Sequence, residues 1–216
     1  MRYAAVIFDL DGTLVDTLRD IADSVNHVLR RLSLPTHPLK AFRLLVGDGS
    51  RTMVSRALPP DRQDLLDDAL RLQIGHYAAH LCDHSRPYPG IPETLSALRA
   101  RGLRAAVFSN KPDSLTQALI TRLFEPGAFA VVLGQRPDRP LKPDPAGALE
   151  IAAELRLPPV QIAYVGDSGV DMQTARAAGM TPLGAAWGFR THDELLQHGA
   201  SAVLDDPARL FDLLTP

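Results

Sequence analysis

The sequence predicts a doubly wound α/β fold: a parallel sheet covered by helices on both faces, interrupted by one helical insert. Short, continuously apolar segments alternate with segments of helical spacing along most of the chain. Continuous apolar strands are typical of a parallel sheet that is buried on both faces. One long stretch behind the first strand shows no strand pattern. The 216 residues suffice for one sheet domain with a smaller insert.

The predicted strands are short apolar runs rich in β-branched and aromatic residues. The first, "YAAVIFD" (3–9), ends just before a Gly turn. Two later runs are shorter or less apolar than the others, so their pattern is weaker. The further predicted strands are 104–110, 129–134, 162–167 and, more weakly, 181–186 and 201–205.

Helical patterns fill the gaps between these strands. Gly102 and Gly179 stand where two of them stop, as glycine commonly does after a helix. Thr191 and Glu194 have the spacing of a capping box. The predicted helices are 91–102, 113–124, 144–157, 167–179 and 191–199. Strand–helix alternation of this kind predicts a doubly wound α/β sheet.

Residues 17–86 interrupt the alternation and contain only helical patterns, divided by Pro and Gly. We therefore predict a helical cap domain over 17–86 and an α/β core domain over 1–16 and 87–216. The segment "RPYPG" (86–90) is interpreted as the stiff return linker. Asp16 is interpreted as the N-cap of the first cap helix. The predicted cap helices lie near 17–33, 38–45, 50–58 and 61–83.

Composition argues against several classes of function. A net charge of −2 gives no broad electrostatic reason to bind nucleic acid or an anionic membrane. The apolar runs are far shorter than the ~20 residues that span a bilayer, and the first of them stops at Asp9, unlike a signal peptide. Cys82 is the single cysteine, so no internal disulfide can form. We expect a cytoplasmic monomer or homodimer.

Polar residues follow each of the first four core strands. In open α/β sheets, ligands bind at the carboxyl ends of the strands, so we expect these side chains to converge. They are Asp9 and Asp11 after the first strand, Ser109, Asn110 and Lys111 after the second, Lys142 in the loop after the third, and Asp167 and Asp171 after the fourth.

Converging carboxylates need a balancing charge. A hard divalent cation with oxygen ligands would supply it. Because the carboxylates are few and do not form a complete protein cage, Mg²⁺ is favoured, which keeps room for a phosphate oxygen among its ligands. Lys142 is one of three lysines beside 20 arginines, so it marks a place where a compact ammonium is suited. Lys142 and Ser109 would then bind a phosphoryl group. Taken singly, Asp9 fits a turn residue and Asp167 a helix N-cap equally well.

At these residues the sequence resembles the haloacid dehalogenase superfamily. The matching segments are "DLDGT" (9–13), "SN" (109–110), "LKPDP" (141–145) and "GDSGVD" (166–171), in the family's order and spacing. The helical insert is similar to the cap of the phosphoglycolate phosphatase-like branch. The resemblance implies a Mg²⁺-dependent reaction that passes through an aspartyl phosphate.

The resemblance also implies a role for each matching residue. Asp9 would be the nucleophile, and Asp11 would protonate the leaving oxygen and then activate water. Ser109 and Lys142 would hold the phosphoryl group. An aspartate at position 11 implies hydrolysis or phosphomutase chemistry, because dehalogenase members lack it. Lys111 is interpreted as a solvated residue that opens a helix.

Metal ligation is implied in the same way. Asp167 would bind Mg²⁺ together with Asp9 and the backbone carbonyl of Asp11, and Asp171 would support that site. Thr13 and Asn110 are predicted to contact the substrate.

The cap loop "LLVGDGSRT" (44–52) resembles the loop that closes over the active site in phosphoglycolate phosphatases. Gly47 and Gly49 permit close backbone approach, and Arg51 is predicted to bind a substrate carboxylate. The alternative is an ordinary turn with a solvated Arg51. The spacing of His76, His80 and His84 fits one polar helix face better than a metal site, because no neighbouring ligand completes it.

We therefore predict a phosphatase acting on a small phosphorylated metabolite, with 2-phosphoglycolate as the best single candidate. Three alternatives stay open: a β-phosphoglucomutase-like phosphomutase, a phosphatase for another sugar phosphate, nucleotide or pyrophosphate, and a non-catalytic phosphate-sensing module. Thr13 favours a phosphatase over the mutase branch, which usually has another residue there.

Overall fold

The computed structural model describes residues 3–214 and contains the predicted parallel sheet. Its strands are β1 (Ala5–Phe8), β2 (Val15–Asp16), β3 (Arg86–Pro87), β4 (Arg104–Pro112), β5 (Val131–Gln135), β6 (Ile162–Gly166), β7 (Thr181–Ala185) and β8 (Ala202–Leu204). The main sheet has the order β5-β4-β1-β6-β7-β8, and all its neighbouring strands are parallel. The doubly wound α/β prediction is confirmed, including its two weaker strands.

Helices connect the strands on both faces of the sheet. They are α1 (Leu18–Arg31), α2 (Phe42–Leu45), α3 (Ser50–Ala57), α4 (Leu66–Ala79), α5 (Ile91–Ala100), α6 (Asp113–Leu123), α7 (Ala146–Glu154), α8 (Gly169–Ala177), α9 (His192–Gln197) and α10 (Leu210–Leu214). The sequence pattern did not predict the short α10. Among the described residues, no helix combines the length and apolarity needed to cross a membrane.

The first strand shows why its sequence is continuously apolar. Val6 and Phe8 point into one hydrophobic core, whereas Ala5 and Ile7 point into a second core on the other face. All four residues are buried. A central parallel strand therefore needs no polar face, and its carboxyl end is the first place where a polar residue can reach a cavity.

Residues 18–79 form the helices α1 to α4 and contribute no strand to the main sheet. The amphipathic α1 buries Ile21, Val25 and Val28 within the larger hydrophobic core. The antiparallel pair β2–β3 joins the outgoing and returning chains, with Asp16 opposite Arg86. Two-residue strands are too short to give a sequence pattern, which is why they were not predicted. The division into core and cap domains stays a prediction.

Asp20 links the beginning of this insert to its end. The buried carboxylate accepts hydrogen bonds from the backbone N–H of His84, and from the N–H and hydroxyl of Ser85, at 2.6–3.0 Å. The interpretation of Asp16 as the N-cap of α1 is wrong by one residue: Thr17 holds that position, and Asp16 Oδ1 accepts from the Leu18 N–H at 3.3 Å.

Candidate active site

Carboxylates from neighbouring strands meet at the carboxyl edge of the sheet. Asp9 follows β1, Asp167 follows β6, and Asp171 lies in the first turn of α8. One carboxylate oxygen of each residue lies within 4.8 Å of the others. Within residues 3–214, no other set of three or more Asp, Glu, His or Cys side chains converges in this way. The strand-end rule thus brings Asp9, Asp167 and Asp171 together, whereas the Asp11 carboxylate, which was expected to converge with them, is not in this set.

Two glycines allow the backbone to approach Asp167 closely. Gly12 has φ +89°, and a Cβ there would collide with the Asp167 carboxylate; a Cβ on Gly188 would collide with Asp167 Cβ. The Asp167 carboxylate accepts from the Phe189 N–H at 2.7 Å and from the Thr13 hydroxyl at 3.4 Å. The turn after β1 and the loop after β7 therefore hold this carboxylate from two sides.

Thr13 does not line the cavity described below, although it was predicted to contact the substrate. It is fully buried, and its hydroxyl reaches Asp167. Its carbonyl oxygen accepts a hydrogen bond from Trp187 Nε1 at 2.9 Å. The tight turn at Gly12 directs the Thr13 side chain into the protein. The contacts of Thr13 therefore position Asp167.

Lys142 supplies the positive charge within the acidic cluster. Its ammonium lies 2.8 Å from Asp9 Oδ1 and 2.7 Å from Asp171 Oδ1. Asn110 fixes the lysine's backbone: its Oδ1 accepts from the Lys142 N–H at 2.8 Å, and its Nδ2 donates to the Lys142 carbonyl at 3.2 Å. The lysine is thus held from the adjacent strand β4.

The three carboxylates exceed the charge of Lys142, and the pKa values of Asp9 and Asp167 are raised. Burial chiefly raises the pKa of Asp9 from 3.8 to about 7; Lys142 lowers it, and Asp171 raises it further. Burial, with Asp171 and Asp9, raises the pKa of Asp167 well above its usual value. A buried, electron-rich set of oxygens that lacks enough cations fits a hard divalent ion such as Mg²⁺.

Asp171 has protein donors on both of its oxygens. Oδ1 accepts from Lys142, while Oδ2 accepts from the N–H and the hydroxyl of Ser168 at 3.1 and 2.6 Å. Ser168 and Asp171 form a reciprocal capping box at the start of α8. Asp171 therefore acts on the site mainly by holding Lys142 in place.

The interpretation of Lys111 as a solvated residue is wrong. Lys111 is buried, and its ammonium lies 2.8 and 3.0 Å from the two oxygens of Asp11. Asp11 Oδ1 also accepts from the Thr17 hydroxyl at 2.7 Å. Asp11 raises the pKa of Lys111 against the opposing effect of burial. Two of the three lysines in this arginine-rich chain, Lys111 and Lys142, are thus buried against carboxylates.

A cavity of about 490 Å³, part of it open to solvent, lies between the cap helices and the sheet. Three of the predicted catalytic residues line it: Asp9 and Asp11 after β1, and Ser109 on β4. The other lining residues are Ile21, Val46, Gly47, Gly49, Ser50, Met53, Gln73, Tyr77, Asn110, Lys111 and Leu115. Ser109 Oγ accepts from the Lys111 N–H at 3.2 Å, so its own O–H is available to a ligand.

The cap loop approaches the sheet edge through its backbone. Asn110 Nδ2 donates to the Gly47 carbonyl at 3.1 Å, and Arg190 Nη2 donates to the Val46 carbonyl at 2.9 Å. Gly49 has φ +88°, which favours glycine, and its backbone lines the cavity. Asn110 thus contacts both the cap loop and Lys142. It also borders the cavity, where it was predicted to contact the substrate.

Arg51 does not reach the cavity, contrary to its predicted contact with a substrate carboxylate. Its side chain is 62% exposed and pairs with Asp67 at 2.7 Å. Arg51 occupies the second position of α3, and the helix directs Ser50 and Met53 toward the cavity instead. The alternative of a solvated arginine describes its exposure, although Arg51 lies in α3 and not in a turn.

Two cavity residues, Gln73 and Tyr77, were missed by the sequence analysis. Both lie on the buried face of α4, at i, i+4 spacing after the buried Ala69. The available signal was the placement of two polar-tipped side chains on the apolar face of a cap helix.

The cap histidines do not form a metal site with three ligands. His76 stacks on His27 and on His80, with ring centroids 3.9 and 4.4 Å apart. His80 Nδ1 lies 2.8 Å from Asp83, and His84 lies beyond the end of α4. The interpretation of His76, His80 and His84 as one polar helix face is wrong for His84, because α4 ends with His80 as its C-cap residue and His84 lies beyond it.

Comparisons with known proteins agree with this geometry. A sequence profile of the haloacid dehalogenase-like hydrolases matches residues 6–185. The phosphoglycolate phosphatase of Chromobacterium violaceum is 34% identical over 215 residues, covering 97% of this chain and 96% of its own length. The phosphoglycolate phosphatase of Mesorhizobium japonicum is 35% identical over 219 residues, covering 100% and 94%.

A solved structure shows the same arrangement of elements. The crystal structure of a predicted phosphoglycolate phosphatase from Haemophilus somnus 129PT superposes with a TM-score of 0.89. The two chains are 31% identical, and the match covers 100% of this chain and 99% of the other. The similarity therefore extends over the cap helices as well as the sheet.

Proposed function

The chain belongs to the haloacid dehalogenase-like hydrolase family and is a phosphoric monoester hydrolase, and we propose that it hydrolyses 2-phosphoglycolate with Mg²⁺ through an aspartyl phosphate. The observation that carries the proposal is the placement of Asp9: a buried carboxylate, paired with Lys142, that faces the cavity. The names of the relatives support 2-phosphoglycolate as substrate. The proposed setting is the cytoplasm, as a monomer or homodimer, with no nucleic acid or membrane partner.

Asp9 and Asp167 would hold the metal ion, with the Asp11 carbonyl as predicted, and Asp171 would support them through Lys142. When bound, Mg²⁺ supplies positive charge that offsets these carboxylates and the phosphoryl oxygens. Lys142 stays bonded to Asp9 and orients its carboxylate. The free O–H of Ser109 would donate to the phosphoryl group, and the positive charge of Lys142 would offset the negative charge that otherwise repels the attacking carboxylate.

In the first half of the reaction, an Asp9 oxygen attacks phosphorus, and the bond from phosphorus to the substrate's alcohol oxygen breaks. A protonated Asp11 gives its proton to the departing oxygen. In the second half, Asp11 takes a proton from water, which attacks the phosphorus of the aspartyl phosphate and releases inorganic phosphate with Asp9 restored. Thr17 and Lys111 hold the Asp11 carboxylate beside the cavity for both steps.

We expect Asp11→Asn to lower turnover by about 10²–10⁴-fold, because an amide can neither give nor take the proton. The Mg²⁺ concentration that gives half-maximal activity should change little, since the metal contact proposed for this residue is its backbone carbonyl. Steady-state kinetics across a Mg²⁺ titration measure both quantities. Near-normal turnover in Asp11→Asn would contradict the acid–base role.

A phosphate-release screen over small phosphomonoesters, with Mg²⁺ or with EDTA, tests the proposal. We expect a sharp maximum at 2-phosphoglycolate and loss of activity in EDTA that Mg²⁺ restores. Mg²⁺ should also raise the melting temperature of the wild type but not of Asp167→Asn, which lacks one anionic ligand. Activity undiminished by EDTA would refute the metal assignment, and a flat profile would refute the substrate.

A further inference from the structure

Two cap side chains in the cavity carry buried polar atoms that the fold leaves unpaired. Gln73 and Tyr77 are 3% and 2% exposed. Among residues 3–214, neither Gln73 Oε1 nor Tyr77 Oη has a hydrogen-bond partner. Buried polar groups are nearly always paired, so each unpaired one requires an explanation.

Packing within the cap does not explain these two residues. The Ser24 hydroxyl donates to the backbone carbonyl of Gln73 at 3.1 Å, so this hydrogen bond between α1 and α4 does not use the Gln73 side-chain amide. Ala69, one turn earlier on the same face, is a buried apolar residue. Leucine and phenylalanine at positions 73 and 77 would fill similar volumes without burying unpaired polar atoms.

Both residues border the same cavity as the predicted nucleophile Asp9. Side chains four residues apart on a helix lie about 5–6 Å apart at their Cβ atoms, so they can approach one small group together. The Lys111 ammonium lies 4.5 Å from the centre of the Tyr77 ring and adds positive charge at this part of the wall. Because the Tyr77 hydroxyl has no partner among the described residues, its proton is free to donate to a ligand. A negatively charged group with two acceptor oxygens suits such surroundings.

We infer that Gln73 and Tyr77 bind the carboxylate of the leaving alcohol and make the enzyme selective for short phosphorylated hydroxycarboxylic acids. This inference rests on the proposed phosphatase function. The Tyr77 O–H donates to one carboxylate oxygen, and the Gln73 amide, turned to present its NH₂, donates to the other. Arg51, the residue that the sequence suggested for this task, points to Asp67 instead.

The test compares two substrates that differ in the carboxylate: 2-phosphoglycolate and ethyl phosphate, in which a methyl group takes its place. Tyr77→Phe and Gln73→Leu should each lower kcat/KM for 2-phosphoglycolate by about 10- to 100-fold, mainly through KM, as expected for a lost hydrogen bond to a charged group. Both variants should hydrolyse ethyl phosphate within about twofold of the wild type. Gln63→Leu, a cap variant outside the cavity, should match the wild type on both substrates.

Equal losses on both substrates would overturn the inference, because they indicate a structural role for the two residues. Unchanged kcat/KM for 2-phosphoglycolate in both variants would overturn it as well, as would a wild type that does not prefer 2-phosphoglycolate over ethyl phosphate. A wild type that releases phosphate from no phosphomonoester would instead refute the proposed function itself, so the two failures are distinguishable.

Discussion

Asp9→Asn is expected to lower kcat by at least about 10⁴-fold, because the amide cannot form the covalent phosphoenzyme and the remaining groups have no nucleophile to assist. The structure places this carboxylate 2.8 Å from Lys142 at the wall of the cavity. Acid-quenched wild type incubated with labelled substrate should carry phosphate, whereas the variant should carry none. Steady-state turnover and this trapping experiment together measure the effect.

The Asp9→Asn variant should lose turnover while it stays folded. The pKa of Asp9 is raised to about 7 in the folded protein, mainly by burial, against 3.8 for an unperturbed carboxyl. A carboxyl with a raised folded pKa stabilises the fold fully below pH 3.8, and this contribution is lost as the pH rises through about 7. At pH 8 without metal, the Asp9→Asn variant, whose side chain is neutral, should therefore melt no lower than the wild type.

Asp16→Asn is the matched control, since Asp16 lies in the same acidic segment but is exposed and bonded to the start of α1. It should keep nearly full turnover, with a stability change within about 0.5 kcal/mol, as is usual for surface positions. Turnover of Asp9→Asn within tenfold of the wild type would contradict the nucleophile assignment, as would trapped phosphate in that variant.

Periodicity and strand-end chemistry were enough to predict the sheet and its charged edge. Buried parallel strands must be apolar throughout, so Asp9 and Asp167 stand out where β1 and β6 end. Lys142 is brought to them by Asn110 on a different strand, and the rarity of lysine in this chain had already marked it. The sequence pattern therefore predicts the part of the site whose position is set by the order of the strands.

The cap side of the site depends on side-chain directions that spacing does not specify. Arg51 and Met53 lie two residues apart on α3, yet one points to solvent and the other to the cavity. Lys111 follows Asn110 in a strand whose pairing becomes irregular between Phe108 and Pro112. Such an irregularity changes the face to which each residue points, so the burial of Lys111 could not be predicted from alternation.

The second large effect is expected when the positive charge of Lys142 is removed from the acidic cluster. Lys142→Met is expected to lower the free energy of unfolding by about 3–5 kcal/mol, because it leaves Asp9 and Asp171 buried without their cation. Urea unfolding in EDTA at pH 8 measures this. Turnover should fall by at least about 100-fold, since the ammonium also neutralises the transferring group. Lys40→Met, at an exposed lysine, should change neither quantity appreciably.

The double variant Lys142→Met/Asp171→Asn separates the lysine's structural contribution from its catalytic one. Removing one of the two uncompensated carboxylates should restore part of the lost stability, and Asn keeps an acceptor for the Ser168 donors of the α8 capping box. Turnover should stay as low as in the single variant, because no ammonium then lies beside Asp9. If the single variant unfolds at the wild-type urea concentration, or the double variant regains turnover, Lys142 does not balance the charge of this cluster.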